Sequence, residues 1–326
     1  MKKHYPIFDW LRVGALALIL VCHFLRRYNC AQADLPLGCV GNVVFFALSG
    51  WLLGLVWHGK GCPRYGVRFL LKRIVRLAIP LWLSMLVIVG YLKCMGYTVT
   101  HRNLFMGVTL MSWFDTSRLP GMTPYWFVTA IFLFYLLLLG WTNLPMRSGK
   151  WWCVGGGLIL LQAILSLVHI RYGWFVCLLL LGLFLFEKGN IVLDSLERRM
   201  MVRMSYGWLG AFAFSMGIYY WGFRIELWAI GTPGCYWAAM IPSGLFVLAG
   251  FALFRNRISA VIRHLSGVSY EIFLMHSFVL VLTSPFGKAI MFRVILYLVL
   301  SYAFGLALNR LSAVVHGILN YRRADA

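Results

Sequence analysis

Ten long apolar runs, separated by short stretches that hold most of the cations, decide what this chain can become. They occupy residues 7–25, 37–57, 74–92, 124–142, 151–169, 172–186, 205–222, 235–254, 268–284 and 289–309. No single water-soluble core can hold them. Of the 326 residues, 62% are hydrophobic and 12% charged, whereas a soluble domain is about 45–50% apolar and about 25% charged. In lipid, every span must satisfy its own backbone, and a helix does so. The sequence therefore predicts an all-α polytopic membrane protein of about ten transmembrane helices, with residues 1–326 forming a single membrane domain.

Details of the runs sharpen this. The sixth is short for a helix crossing about 30 Å of hydrocarbon. The stretch Leu104–Trp113 is too short to span and reads as re-entrant or interfacial. Gly155–Gly157 suit close helix approach. Many of the 14 Trp and 16 Tyr lie near run ends, as aromatic belts require. Tyr125 and Trp126, opening the fourth run, read as belt residues.

The net charge of +21 would suggest nucleic acid in a soluble protein. Here the cations sit between apolar runs and report topology instead. With the N-terminus inside, 20 Lys and Arg fall on the inner side and 9 on the outer, with Arg12 inside the first run. That bias predicts both termini in the cytoplasm. Membrane lipid is an expected partner and nucleic acid is not. The 8 Cys are scattered, without CxxC or CxxCH, so neither a zinc site nor covalent haem is expected. The first run continues past signal-peptide length, with no small-residue cleavage site after it.

An ionisable side chain in lipid is costly and is a functional hypothesis by default. The first run carries Asp9, Arg12 and His23. Asp9 and Arg12, three apart, can pair on one face. Arg12 and His23 are eleven apart, three turns plus roughly 20°, and share a face about 16 Å apart along the axis. Each alone has an interfacial reading: a snorkelling arginine and a boundary histidine. Together on one face they point to function. Asn42 and Ser49, seven apart, share a face of the second run, where Ser49-Gly50 also suits helix packing. Arg73 and Arg76 open the third run, either as cytoplasmic anchors or as a phosphate clamp. His276 falls near the middle of the ninth.

Five of these stretches, in this order, resemble the acyltransferase-3 family of integral membrane acyltransferases. The family's first helix has an arginine, ten residues and a histidine, as at Arg12 and His23. Its second reads like Phe45 to Gly50, and an Arg-x-x-Arg follows, as at Arg73 and Arg76. Trp126-Phe127 and Tyr135 match an aromatic helix, and Ser269 to His276 match a late Ser-Tyr motif ending in histidine. The order and spacing make the set specific, and it covers nearly the whole chain. Tyr125 departs from it, since relatives often have a histidine there.

The resemblance implies an enzyme that moves an acyl group, usually acetyl, from acyl-CoA to a hydroxyl of a cell-surface glycan or its glycolipid precursor. It implies a stand-alone O-acetyltransferase in the bacterial inner membrane. No permanently bound cofactor is implied, and acetyl-CoA serves as donor substrate. His23 is the expected base; Arg73 and Arg76, with Arg12, would hold the coenzyme A phosphates; Ser49, Asn42 and His276 would orient substrate or His23. The rival readings are an exporter of a glycan or lipid intermediate, a haem protein using His23 and His276, and a structural or signalling scaffold, which would leave the motif set unexplained. Against the first, the runs contain almost no acid beyond Asp9 and Glu271.

Overall fold

A computed structural model describes residues 5–28, 34–112, 119–145, 150–167, 175–198, 205–224, 233–284 and 290–324. Among these residues there are eleven helices and no strand: α1 (Pro6–Arg27), α2 (Asp34–His58), α3 (Val67–Cys94), α4 (His101–Val108), α5 (Tyr125–Asn143), α6 (Lys150–Leu167), α7 (Phe175–Arg198), α8 (Ser205–Arg224), α9 (Pro233–Phe254), α10 (Ala260–Thr283) and α11 (Ile290–Ala324). Eight of them, all but α4, α6 and α8, are long and apolar enough to cross a membrane. The chain is a multi-pass membrane protein, as its sequence predicts.

Local chemistry sets the helix ends. Pro6 occupies the first turn of α1, where its missing N–H costs nothing. Asp9 in that turn and Arg26 and Arg27 in the last complement the helix dipole. α2 closes with the Cys62 N–H donating to the Trp57 carbonyl and the Gly61 N–H to that of His58, each over 3.0 Å. Gly61 takes the left-handed φ of 72° that this cap requires. α4 opens with a capping box, Thr100 and Asn103 each satisfying the other's backbone N–H.

Every expected span is helical where it is described, apart from the end residues Pro124 and Ser284. α4 takes up the short stretch from Leu104, and Trp113 lies outside the described residues. So do residues 168–169 and 172–174, the side chains of Cys30 and Cys235, and the loop cations Lys2, Lys3, Arg118, Arg147, Arg171, Arg199, Arg203 and Lys288. The short sixth span is corrected. α7 is 24 residues long, because the polar segment after Phe186 continues the helix beyond the apolar run. The three glycines of α6 are also corrected: a Cβ at Gly155, Gly156 or Gly157 would meet nothing within 4 Å among the described residues. The close approach lies elsewhere. A Cβ at Gly50 would collide with the backbone of Gly182, and one at Gly54 with that of Phe186. α2 and α7 thus touch backbone to backbone.

The helices group into two compact units. The first comprises residues 1–65 and 137–266, and the second residues 66–136 and 267–326. In the first, α1 and α2 run antiparallel: Gly38 meets Cys22, Gly41 meets Ile19 and the Ala15 carbonyl, and the Phe8 and Trp51 rings meet edge to face at 5.2 Å. In the second, α3 and α10 join where Tyr270 Oη donates to the Leu77 carbonyl over 3.0 Å. α11 joins α10 where Gly305 sits on Ile272 and Phe304 on Phe278, at 6.0 Å.

Candidate active site

In the first unit, Arg12 and His23 both lie on the continuous helix α1, and both are half-buried. Arg12 Nη1 donates to Ser266 Oγ over 3.2 Å, and Ser266 Oγ donates to Asp9 Oδ1 over 2.7 Å. The expected Asp9–Arg12 association is therefore bridged by a buried hydroxyl from α10. Nearby, Trp10 Nε1 donates to the Arg257 carbonyl over 2.9 Å, and its ring stacks on Phe254 at 4.3 Å. These contacts fix the rotation of α1, and with it the direction of Arg12. Toward the other end, His23 has the Arg26 charge within electrostatic reach.

The two polar residues of α2 occupy different depths. Asn42 is 8% exposed, and its Nδ2 donates to Tyr236 Oη on α9 over 3.4 Å. By the antiparallel register it lies about 9 Å along the axis from His23. Ser49 lies level with the Arg12 end, about 20 Å from His23, and its hydroxyl donates to the Phe45 carbonyl over 3.0 Å. The fold therefore brings Asn42 toward His23 and Ser49 toward Arg12.

The second unit holds the remaining expected residues. Arg73 is half-buried with its guanidinium 5.4 Å above the Phe69 ring, and Arg76, one turn on, is exposed. Arg76 and the Tyr125 and Tyr135 hydroxyls lie within electrostatic reach of Tyr270. Next to Tyr270, Glu271 is 7% exposed; it accepts a hydrogen bond from Asn309, with Arg76 and His316 in range. His276 is fully buried. Its Nδ1 lies 2.6 Å from the Phe273 carbonyl, which only accepts, so Nδ1 carries the proton and Nε2 the lone pair.

Tyr125 is no belt residue. It is 1% exposed, with its hydroxyl 2.7 Å from Ser84 Oγ. A phenol at a run end suits either a wet interface or a buried partner, and Ser84, one helix away, decides for burial.

A family model described as an acyltransferase domain matches residues 5–310. The chain belongs to the acyltransferase-3 family. The match covers both units and every expected site residue. No curated protein and no solved structure matches it significantly. This acyltransferase is thus a membrane enzyme, and family membership favours acyl transfer over the exporter reading.

Sequence reasoning missed Ser266, Tyr236, Tyr270 and Asn309 as partners of the expected residues. Only Tyr270 carried a signal, as part of the Ser-Tyr motif. The others are ordinary polar residues whose importance lies in what packs against them.

Proposed function

We propose that the enzyme transfers an acyl group, acetyl in its main reaction, from acyl-CoA to a hydroxyl of a cell-surface glycan or its lipid-linked precursor, in the bacterial inner membrane. The observation that carries this reading is the Arg12–His23 face of α1 within a chain matched almost end to end by the acyltransferase family. His23 is the base. Its imidazole takes the proton of the acceptor hydroxyl, the oxygen attacks the thioester carbonyl, and the C–S bond breaks. The coenzyme A thiolate then leaves with that proton.

Arg73 and Arg76 hold the donor phosphates, with Arg12 completing the set. Guanidinium forks suit phosphate oxygens, and the loop-charge bias puts these residues at the cytoplasmic ends of their helices, where the donor is made. Asn42 and His276 orient the acceptor or His23. Ser49, at the depth of Arg12, acts on the donor side. No permanently bound cofactor enters this scheme.

The test uses purified protein in lipid nanodiscs, radiolabelled acetyl-CoA and a panel of envelope glycans. Label reaching a glycan with wild type but not with His23→Ala supports donor, acceptor class and base together. Full activity in His23→Ala removes the base assignment. Neither binding nor transfer of acetyl-CoA removes the donor.

A further inference from the structure

The end of α2 brings a thiol, an imidazole and a carbonyl into line. Cys62 Sγ lies 3.4 Å from His58 Nδ1, and His58 Nε2 lies 2.8 Å from the backbone oxygen of Glu187 on α7. A carbonyl oxygen only accepts, so Nε2 carries the ring proton and donates it. That leaves the Nδ1 lone pair facing the thiol, whose S–H donates to it. Nucleophile, base and orienting acceptor stand in the order that activates a cysteine.

The surroundings hold this geometry. Trp141 Nε1 donates to Glu187 Oε2 over 2.9 Å. Trp57 stacks on Phe186 at 4.8 Å and donates to the Pro63 carbonyl over 2.8 Å. Cys62 itself has φ 56°, a conformation uncommon for a side chain other than glycine, and the α2 cap keeps it there. The thiol is exposed. The other exposed thiols among the described residues, Cys94 and Cys153, have no such imidazole beside them. Nor does Cys62 belong to the His23 site. Phe8 packs on Trp51, in the half of α2 that leads to Cys62, and His23 lies fifteen residues further along α1, about 22 Å from Phe8.

We propose that Cys62, with His58 as its base, is an acyl-accepting thiol that exchanges acyl groups with thioesters. His58 Nδ1 takes the thiol proton, and the thiolate attacks the thioester carbonyl. The bond to the donor sulfur breaks, and the donor thiol leaves with the proton from His58. The products are an S-acyl Cys62 and a free thiol, with no change of oxidation state. Coenzyme A as the natural donor rests on the proposed function; the reactive thiol does not.

The experiment uses the full chain in nanodiscs without acceptor. One arm supplies radiolabelled acetyl-CoA, a second a labelled aryl thioacetate that needs no coenzyme A site, and a third iodoacetamide at pH 7 with residue-resolved mass spectrometry. The expected result is label on Cys62 that neutral hydroxylamine releases. It is absent in Cys62→Ser and reduced at least about tenfold in His58→Gln, whose amide can still donate to Glu187. Cys62 should also alkylate at least about tenfold faster than Cys94 and Cys153, with that excess lost in His58→Gln. Label from the aryl thioester but none from acetyl-CoA supports the thiol and overturns the donor of the proposed function. No label from either thioester, or labelling and alkylation indifferent to His58, overturns the inference, whatever transfer to glycans shows.

Discussion

Arg12 reaches Ser266, 254 positions along the chain, across 3.2 Å, and the same hydroxyl serves Asp9. One small side chain thus aims a cation in the first helix. Replacing it with alanine removes this hydrogen bond from the guanidinium. Ser266→Ala should lower kcat/KM about tenfold, or about 1.4 kcal/mol of transition-state stabilisation. Steady-state acyl transfer measures this, and wild-type kinetics would remove Ser266 from the positioning of Arg12.

His23→Ala should reduce kcat by about 10²- to 10⁴-fold, the usual worth of a general base. The half-buried site tolerates the smaller side chain, so thermal unfolding should change little. Loss of fold alongside loss of activity would point to packing instead.

Arg73→Ala and Arg76→Ala should act on the donor alone. Each removes one charge-assisted contact to phosphate, worth about 1.5–3 kcal/mol. KM for acyl-CoA should rise at least about tenfold, with kcat nearly unchanged. A fall in kcat at saturating donor would move these residues from binding to chemistry.

Gly50→Ala should destabilise the protein by about 1–3 kcal/mol, because its Cβ falls on the Gly182 backbone. Gly155→Ala, whose Cβ would meet nothing within 4 Å among the described residues, is the matched control and should be neutral. Melting temperatures in detergent compare the two, and equal shifts would mean that α2 and α7 separate freely.

Tyr125→Phe should cost about 1 kcal/mol through the lost bond to Ser84, and Ser84→Ala a similar amount. If the two share one hydrogen bond, the double variant should cost less than the sum. Additivity would deny the coupling.

What could be read in advance follows from the kind of information each feature needs. The body of α1 and of α2 is written in hydropathy, and both appear within three residues at each end. α7 and α11 outrun their apolar stretches, because hydropathy marks where lipid ends and a helix can continue into water. Glu187 and Asp194 in α7, and Arg310 in α11, do not break it. Arg12 and His23 could be placed on one face because helical periodicity is local. Ser266, Tyr236 and Asn309 could not be found, because nothing near them in the sequence says which helix they will meet. Ser49 could be placed on a face but not at a depth relative to His23. That needed the antiparallel register, which Gly38, Gly41 and Trp51 fix only once folded.

The glycines between α2 and α7 have a mechanical consequence. Helices kept apart by long side chains can slide, since rotamers adjust as the ridges pass. Here Gly50 and Gly54 bring main chain against main chain, and a peptide group has no rotamer to offer. The Trp51 indole N–H, bonded to the Gly189 carbonyl over 2.8 Å, further pins the axial register. These two helices therefore behave as one stiff beam, and any opening that admits substrate must be taken up by the helices around it.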